Sequence, residues 1–341
     1  MFNTYLIVFL ILLVLELVYI KVADKYSIVD NPNKRSSHST VVIRGGGIIF
    51  SLSMLVWAGM MIFNGNGLVV IDYLPFLCGL VVIAAVSFVD DIHSLSGGMR
   101  LVAQFVTMGL LLWNTGIMHW SMWWIVALIL FVGAANVINF MDGINGITVG
   151  YGLAVIVPLL LLNNRGEDTF VENSFLIVAA LGLLVFSLFN FRPRGKAKCF
   201  AGDVGSIGIA FIMLFSLGKL IVYSDDISWI VLFLVYGIDG CMTIFHRVML
   251  HENILESHRK HAYQLMANEL GMNHVVVSSL YAGLQLVISL VAIYVIPDTV
   301  VARWGYLACV GIILTLAYIL FVKKYYHLHE EYLKQQDLNG K

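Results

Sequence analysis

The stretch "VIAAVSFVDDIHSLSGGMR", residues 82–100, decides the fold. Val81 to Val89 is almost wholly apolar, and then Asp90 and Asp91 stand side by side with no basic residue until Arg100. Two adjacent anions repel, and desolvating either is costly. A run fit for lipid that ends this way reads as a membrane span reaching water, with a positive charge or solvent beside the acids.

The rest of the chain supports that reading. Of 341 residues, 60% are hydrophobic and only 12% charged, and the mean hydropathy is +0.89. A soluble protein carries about twice that charged fraction. The net charge of -1 says little, since the distribution of charge matters more than the sum, and no basic stripe points to nucleic acid. Cys78, Cys199, Cys241 and Cys309 have no paired spacing, so neither a disulfide framework nor a zinc site is expected.

A spanning helix needs about 20 apolar residues. Eleven candidates fall near 4–22, 46–63, 71–89, 101–117, 122–140, 147–163, 173–190, 206–222, 228–248, 275–296 and 303–322. The predicted fold is an all-α polytopic membrane protein, one integral-membrane domain over residues 1–341. The first run is read as a retained helix, not a cleaved signal. Of the 20 Lys and Arg residues, all but Arg165, Lys219 and Arg303 fall on one set of loops and the tail. That side should be cytoplasmic, which puts the N-terminus outside and the C-terminus inside. The polar motifs then all face the cytoplasm. Within the spans, Glu16 is read as a packing residue, and Asp239 is expected to face the site.

Three constellations on that face carry chemistry. Asp90, Asp91, Asp142 and Asp203 sit at or near the ends of different spans, the last two within "MDGING" and "AGDVGS". Converging carboxylates need a cation, and oxygen ligands suit Mg²⁺ or Mn²⁺ shared with substrate phosphates. In "NVINFMDGING", Asn136, Asn139 and Asn145 surround Asp142. Asn136 and Asn139 share a helix face, and their amides can bind a polar group or bond between helices. The glycines there allow backbone amides to approach an anion. "IRGGG" sets Arg44 beside three glycines as a candidate phosphate cradle. "HRKHAYQ" brings His258, Arg259 and His261, suited to a diphosphate, and "SSHS" adds His38. Acids for a metal, bases for phosphates and amides for a polar headgroup, at the water interface, suit an enzyme joining a phosphorylated substrate to a lipid.

The set "VDDIHS", "NVINFMDGINGI", "AGDVGS" and "HRKHAYQ" resembles the polyprenyl-phosphate N-acetylhexosamine-1-phosphate transferases, over about residues 34–264. The resemblance implies transfer of a sugar-1-phosphate from a UDP-N-acetylhexosamine to undecaprenyl phosphate with Mg²⁺, releasing UMP. The setting it implies is the bacterial inner membrane, at the start of O-antigen, capsule or related glycan synthesis, with a homodimer plausible. It casts Asp203 as the principal metal ligand, with Asn139 beside it. Asp90 resembles the acid that deprotonates or positions the lipid phosphate, and Asp91 belongs to the same pair. Asp142 and Asn145 fall in the block near metal and nucleotide, and Asn145 stands where some relatives carry a second acid. His258, Arg259 and His261 stand in for the His-rich loop that grips the diphosphate, with His261 favoured as the working histidine. That loop departs from the peptidoglycan enzyme's three adjacent histidines and looks like the branch acting on deoxy or diamino hexosamines. On this reading the acidic pair's partner is Mg²⁺ and phosphate, not a side chain. The alternative is a membrane transporter or lipid flippase, which should show polar groups at mid-span.

Overall fold

The computed structural model describes residues 2–32, 37, 40–253 and 259–339. The chain order is α1 (Phe2–Lys25), β1 (Val29–Asp30), β2 (Val42–Ile43), α2 (Ile48–Phe63), α3 (Gly67–Asp72), α4 (Leu74–Ile92), α5 (Gly97–Thr115), α6 (Trp123–Phe140), α7 (Ile147–Asn163), α8 (Asn173–Asn190), α9 (Gly202–Ser224), α10 (Leu234–Met249), α11 (Ala262–Gln264), α12 (His274–Tyr294) and α13 (Val300–Asn339). This is an all-α polytopic membrane protein. Among the described residues, eight helical segments are long and apolar enough to cross a membrane, and Ile48–Phe63 and Ile147–Asn163 are shorter apolar helices. Each of the eleven expected spans coincides with a helix, with shifted ends. The ninth is broken, a 3-10 stretch at Ile227–Phe233 leading into α10. The eleventh runs on well past residue 322.

The helix α9 forms the centre. Apolar residues surround it on every face, the pattern of a helix buried all round, and α2, α4, α5, α6 and α7 pack against it. Glycines set the closest approach. A Cβ on Gly205 would lie 2.5 Å from the Gly47 Cα, so α2 and α9 meet backbone to backbone. Toward the other end of α9, Phe211 and Phe215 join Phe76, Phe175 and Tyr73 in an aromatic cluster, with Phe76 and Phe215 centroids 4.3 Å apart.

One departure from a purely helical plan positions the site. The strands β1 and β2 pair antiparallel, Val29 with Ile43 and Asp30 with Val42. Ile43 also bridges to Cys199. The Phe200 amide donates to the Ile43 carbonyl at 2.8 Å, Gly46 to Phe200 at 2.9 Å and Gly47 to Ala201 at 3.1 Å. The "IRGGG" segment is thereby zipped to the turn entering α9. This corrects the phosphate-cradle reading of these glycines. The amides of Gly46 and Gly47 are consumed by carbonyls, and a Cβ on Gly46 or Gly47 would collide with Cys199 or Gly205.

Candidate active site

The ends of α6 and α8 and the starts of α5, α9 and α12, with the turn before α7, gather around one polar cavity of about 390 Å³. Arg44, Arg100, Asn139, Asp142, Asn190, Asp203, Gln264 and His274 are among its lining.

The two arginines of its wall are held from behind by the acidic pair Asp90 and Asp91, which does not itself line the cavity. The Arg44 Nε donates to Asp91 Oδ1 at 2.7 Å, and the Asp203 and Val204 amides donate to the two Asp91 oxygens at 2.9 and 3.0 Å. Asp91, with a side chain 0% exposed, therefore caps α9 from a neighbouring helix. The first amides of a helix lack internal acceptors and carry the positive end of its dipole, so a carboxylate is well placed there. Asp90 accepts from the Leu95 amide at 2.6 Å and from Arg100 at 3.1 Å. The expectation that the pair has no side-chain partner is thus corrected: each aspartate holds an arginine.

Asp203 differs. It is 22% exposed, and its nearest guanidinium atoms, on Arg44 and Arg100, stand 3.9 and 3.8 Å away. It also lies within hydrogen-bonding reach of Asp90. Two ionised carboxylates in contact repel unless a proton or a cation sits between them. Three carboxylates, Asp90, Asp91 and Asp203, share two guanidiniums here, and Asp30 and Asp142 line the same cavity, so negative charge is in excess. Asn139 accepts from the Ser206 hydroxyl at 2.5 Å, and Asp142 from Thr148 at 2.5 Å. Burial pushes the Asp142 carboxyl up to about 6, the Thr148 hydrogen bond offsetting only part of that. Among the described residues no three His, Cys, Asp or Glu side chains form a ready-made metal cage. The donors are oxygens of Asp203, Asn139 and Asp142. Such a set fits a hard cation that completes its shell with substrate phosphates and water.

Other expected site residues lie elsewhere. Asn136 and Gln104 exchange amide hydrogen bonds of 2.6 and 3.2 Å between α6 and α5, so Asn136 ties helices together and does not line the cavity. Asn145 reaches the cavity wall, but its amide donates to the Arg192 and Pro193 carbonyls at 3.0 Å, tying the turn before α7 to the loop after α8. Backbone amides of its glycine turn are also used, Gly146 donating to Asn190 at 2.7 Å. His261 is buried with Nδ1 3.3 Å from Asp239, and Arg259 pairs with Glu269 at 2.9 Å; neither lines the cavity. Asp239, expected to face the site, accepts from the Ala262 amide at 3.1 Å and from the Tyr281 hydroxyl at 2.6 Å, anchoring the "HRKHAYQ" segment. His258 and His38 lie outside the described residues. Glu16 is buried, as a packing residue should be, 3.5 Å from the Cys199 sulfur.

Sequence reasoning missed Gln264, Asn190 and His274. Asn190 had a usable signal, a polar residue closing an apolar run on the same side as the motifs. Nothing local marks His274, which reaches the wall only because α12 begins there.

A family model described as glycosyl transferase family 4 matches residues 73–221, which include Asp90, Asp91, Asn139, Asp142 and Asp203. The chain is related to the polyprenyl-phosphate N-acetylhexosamine-1-phosphate transferases. Among its relatives is a probable undecaprenyl-phosphate N-acetylglucosaminyl 1-phosphate transferase of Bacillus subtilis, 23% identical over 79% of this chain and 78% of the relative. An undecaprenyl-phosphate alpha-N-acetylglucosaminyl 1-phosphate transferase of Thermotoga maritima is 24% identical over 73% and 76%. A phospho-N-acetylmuramoyl-pentapeptide-transferase of the same organism is 26% identical over 60% and 67%.

Proposed function

We propose that the chain, acting as one transferase domain, moves a hexosamine-1-phosphate from a UDP-N-acetylhexosamine to undecaprenyl phosphate and releases UMP. The observation that carries this reading is the Asp203 carboxylate facing a polar cavity beside Arg44 and Arg100, where apolar helices end. The relatives' names support the reaction class. A deoxy or diamino hexosamine, a cytoplasmic-facing site in the bacterial inner membrane, a role in starting O-antigen, capsule or related glycan synthesis, and a homodimer belong to the same reading.

The chemistry balances without an external redox partner. An oxygen of the lipid phosphate bonds to the sugar-bearing phosphorus, and the bond from that phosphorus to the UMP oxygen breaks. Both reactants are anionic, so the protein must hold them together and in line. Arg44 and Arg100 supply fixed positive charge for the phosphoryl oxygens. Asp91 and Asp90 orient those guanidiniums through their hydrogen bonds. Asp203, with Asn139 and Asp142, would hold Mg²⁺, with Mn²⁺ as substitute, and the cation would supply Lewis-acid stabilisation of the phosphoryl charge. No residue need serve as a covalent nucleophile. A transporter would concentrate polar groups at mid-span, whereas this cavity lies where helices end.

The test is UMP release by detergent-purified protein given undecaprenyl phosphate, Mg²⁺ and a panel of UDP-N-acetylhexosamines. Release that needs both the lipid phosphate and the cation, and stops with EDTA, is expected for one sugar. Failure to bind any uridine nucleotide would overturn the reading.

A further inference from the structure

The helix α13 is longer than a membrane requires. Its 40 residues extend about 60 Å at 1.5 Å per residue, against about 30 Å of hydrocarbon. The apolar stretch ends at Lys323 and Lys324, and the helix continues to Asn339. Beyond the lysines, Tyr326, His329 and Tyr332 recur at three-residue spacing, one face of a helix, and that face is covered.

The covering partner is the 259–269 segment. Glu269 Oε1 accepts from Arg259 at 2.9 Å and lies 3.0 Å from His329 Nδ1. The Arg259 guanidinium stacks 4.3 Å from the Tyr332 ring centroid, and Lys260 lies 5.7 Å from that of Tyr326. The Glu269 side chain is only 2% exposed. An exposed ion pair is worth little, whereas a buried one is costly to break by removing a single partner. The cluster is therefore held as a unit.

What it holds reaches the cavity. Arg259 and Glu269 flank Gln264, a cavity-lining residue, by five positions on each side. Between them Asp239 fixes the Ala262 amide, and the Tyr263 hydroxyl donates to the Phe140 carbonyl at 3.1 Å, next to Asn139.

We propose that the part of α13 beyond the bilayer is a brace that sets the 259–269 segment against the cavity, with Glu269 and His329 as positioning residues for the nucleotide-sugar. This rests on the transferase reading for its substrate. Neither residue touches the cavity, and each acts through the backbone that carries Gln264.

The test compares full-length His329→Leu, His329→Gln and Glu269→Gln with the wild type, by turnover and by amide hydrogen exchange over 259–269. In His329→Leu and Glu269→Gln, the KM for the UDP-sugar is expected to rise about tenfold, with kcat within about twofold. The KM for undecaprenyl phosphate should stay put. His329→Gln, which keeps a polar partner for Glu269, should restore most of the loss. Exchange should quicken at 259–269 in His329→Leu and stay unchanged in the central helix α9, even where the melting temperature falls. Unchanged exchange would overturn the brace, as would a joint fall of kcat, affinity for both substrates and melting temperature. A wild type without turnover would sink the transferase reading, and the exchange result would then decide the brace alone. The His329 pair serves should Glu269→Gln fail to fold.

Discussion

Aspartates of one type take different roles here because their surroundings differ. Asp91 has spent both oxygens on Arg44 and the first amides of α9, while Asp203 keeps its carboxylate toward the cavity. Asp91→Ala should therefore cost about 2 kcal/mol, since it removes the closest partner of the half-buried Arg44 and uncaps a buried helix. A clear fall in the melting temperature checks it. Asp203→Asn should leave that temperature unchanged or raise it, because the substitution removes repulsion toward Asp90. Asp142 adds a pH signature. Its folded pKa, pushed up to about 6 from 3.8, means that the ionised form is the one disfavoured in the fold. Its contribution to stability is complete below about pH 4 and lost as pH rises through about 6. The melting-temperature advantage of Asp142→Asn over wild type should then grow from pH 5 to pH 8 in thermal scans without metal. The positions of these acids were legible in the sequence, since an acid closing an apolar run has few places to go. Their partners were not. Arg44 and Asp91 are distant in sequence, and only the zipping of "IRGGG" to the α9 turn brings them together.

At the level of elements, the helices were legible and their seams were not. Apolar runs announce spans, because lipid leaves a segment little choice but to satisfy its backbone internally. Whether a glycine serves a ligand or a neighbouring helix depends on what packs against it, which no local pattern states. Gly47 and Gly205 serve each other. Gly205→Ala must push α2 from α9 and should cost about 1–3 kcal/mol, whereas Gly98→Ala, with nothing within 4 Å, should cost nothing. Comparing the two melting temperatures checks the seam. Asn136 teaches the same lesson. Its spacing with Asn139 left a polar ligand and an interhelical bond both open, and the fold divides them: Asn136 bonds Gln104 between helices while Asn139 lines the cavity.

For the whole molecule, alternating helices bring "VDDIHS", "NVINFMDGING" and "AGDVGS" to one end of the bundle, and the described part of "HRKHAYQ" packs beside them. Charge asymmetry predicts that this end faces the cytoplasm. In a chain whose native cysteines are replaced by alanine, Glu167→Cys should react with an impermeant maleimide on intact cells. Lys196→Cys should react only after permeabilisation, and the reverse pattern would invert the orientation. The central claim is that the corner built by α4, α6 and α9 performs phosphoryl transfer, with Asp203 facing the reactants. The most direct measurement is UMP release by Asp203→Asn beside Asn136→Leu, each confirmed as folded. The expected result is a loss of a hundredfold or more for Asp203→Asn and near-normal turnover for Asn136→Leu. Full turnover by a folded Asp203→Asn variant would contradict the claim.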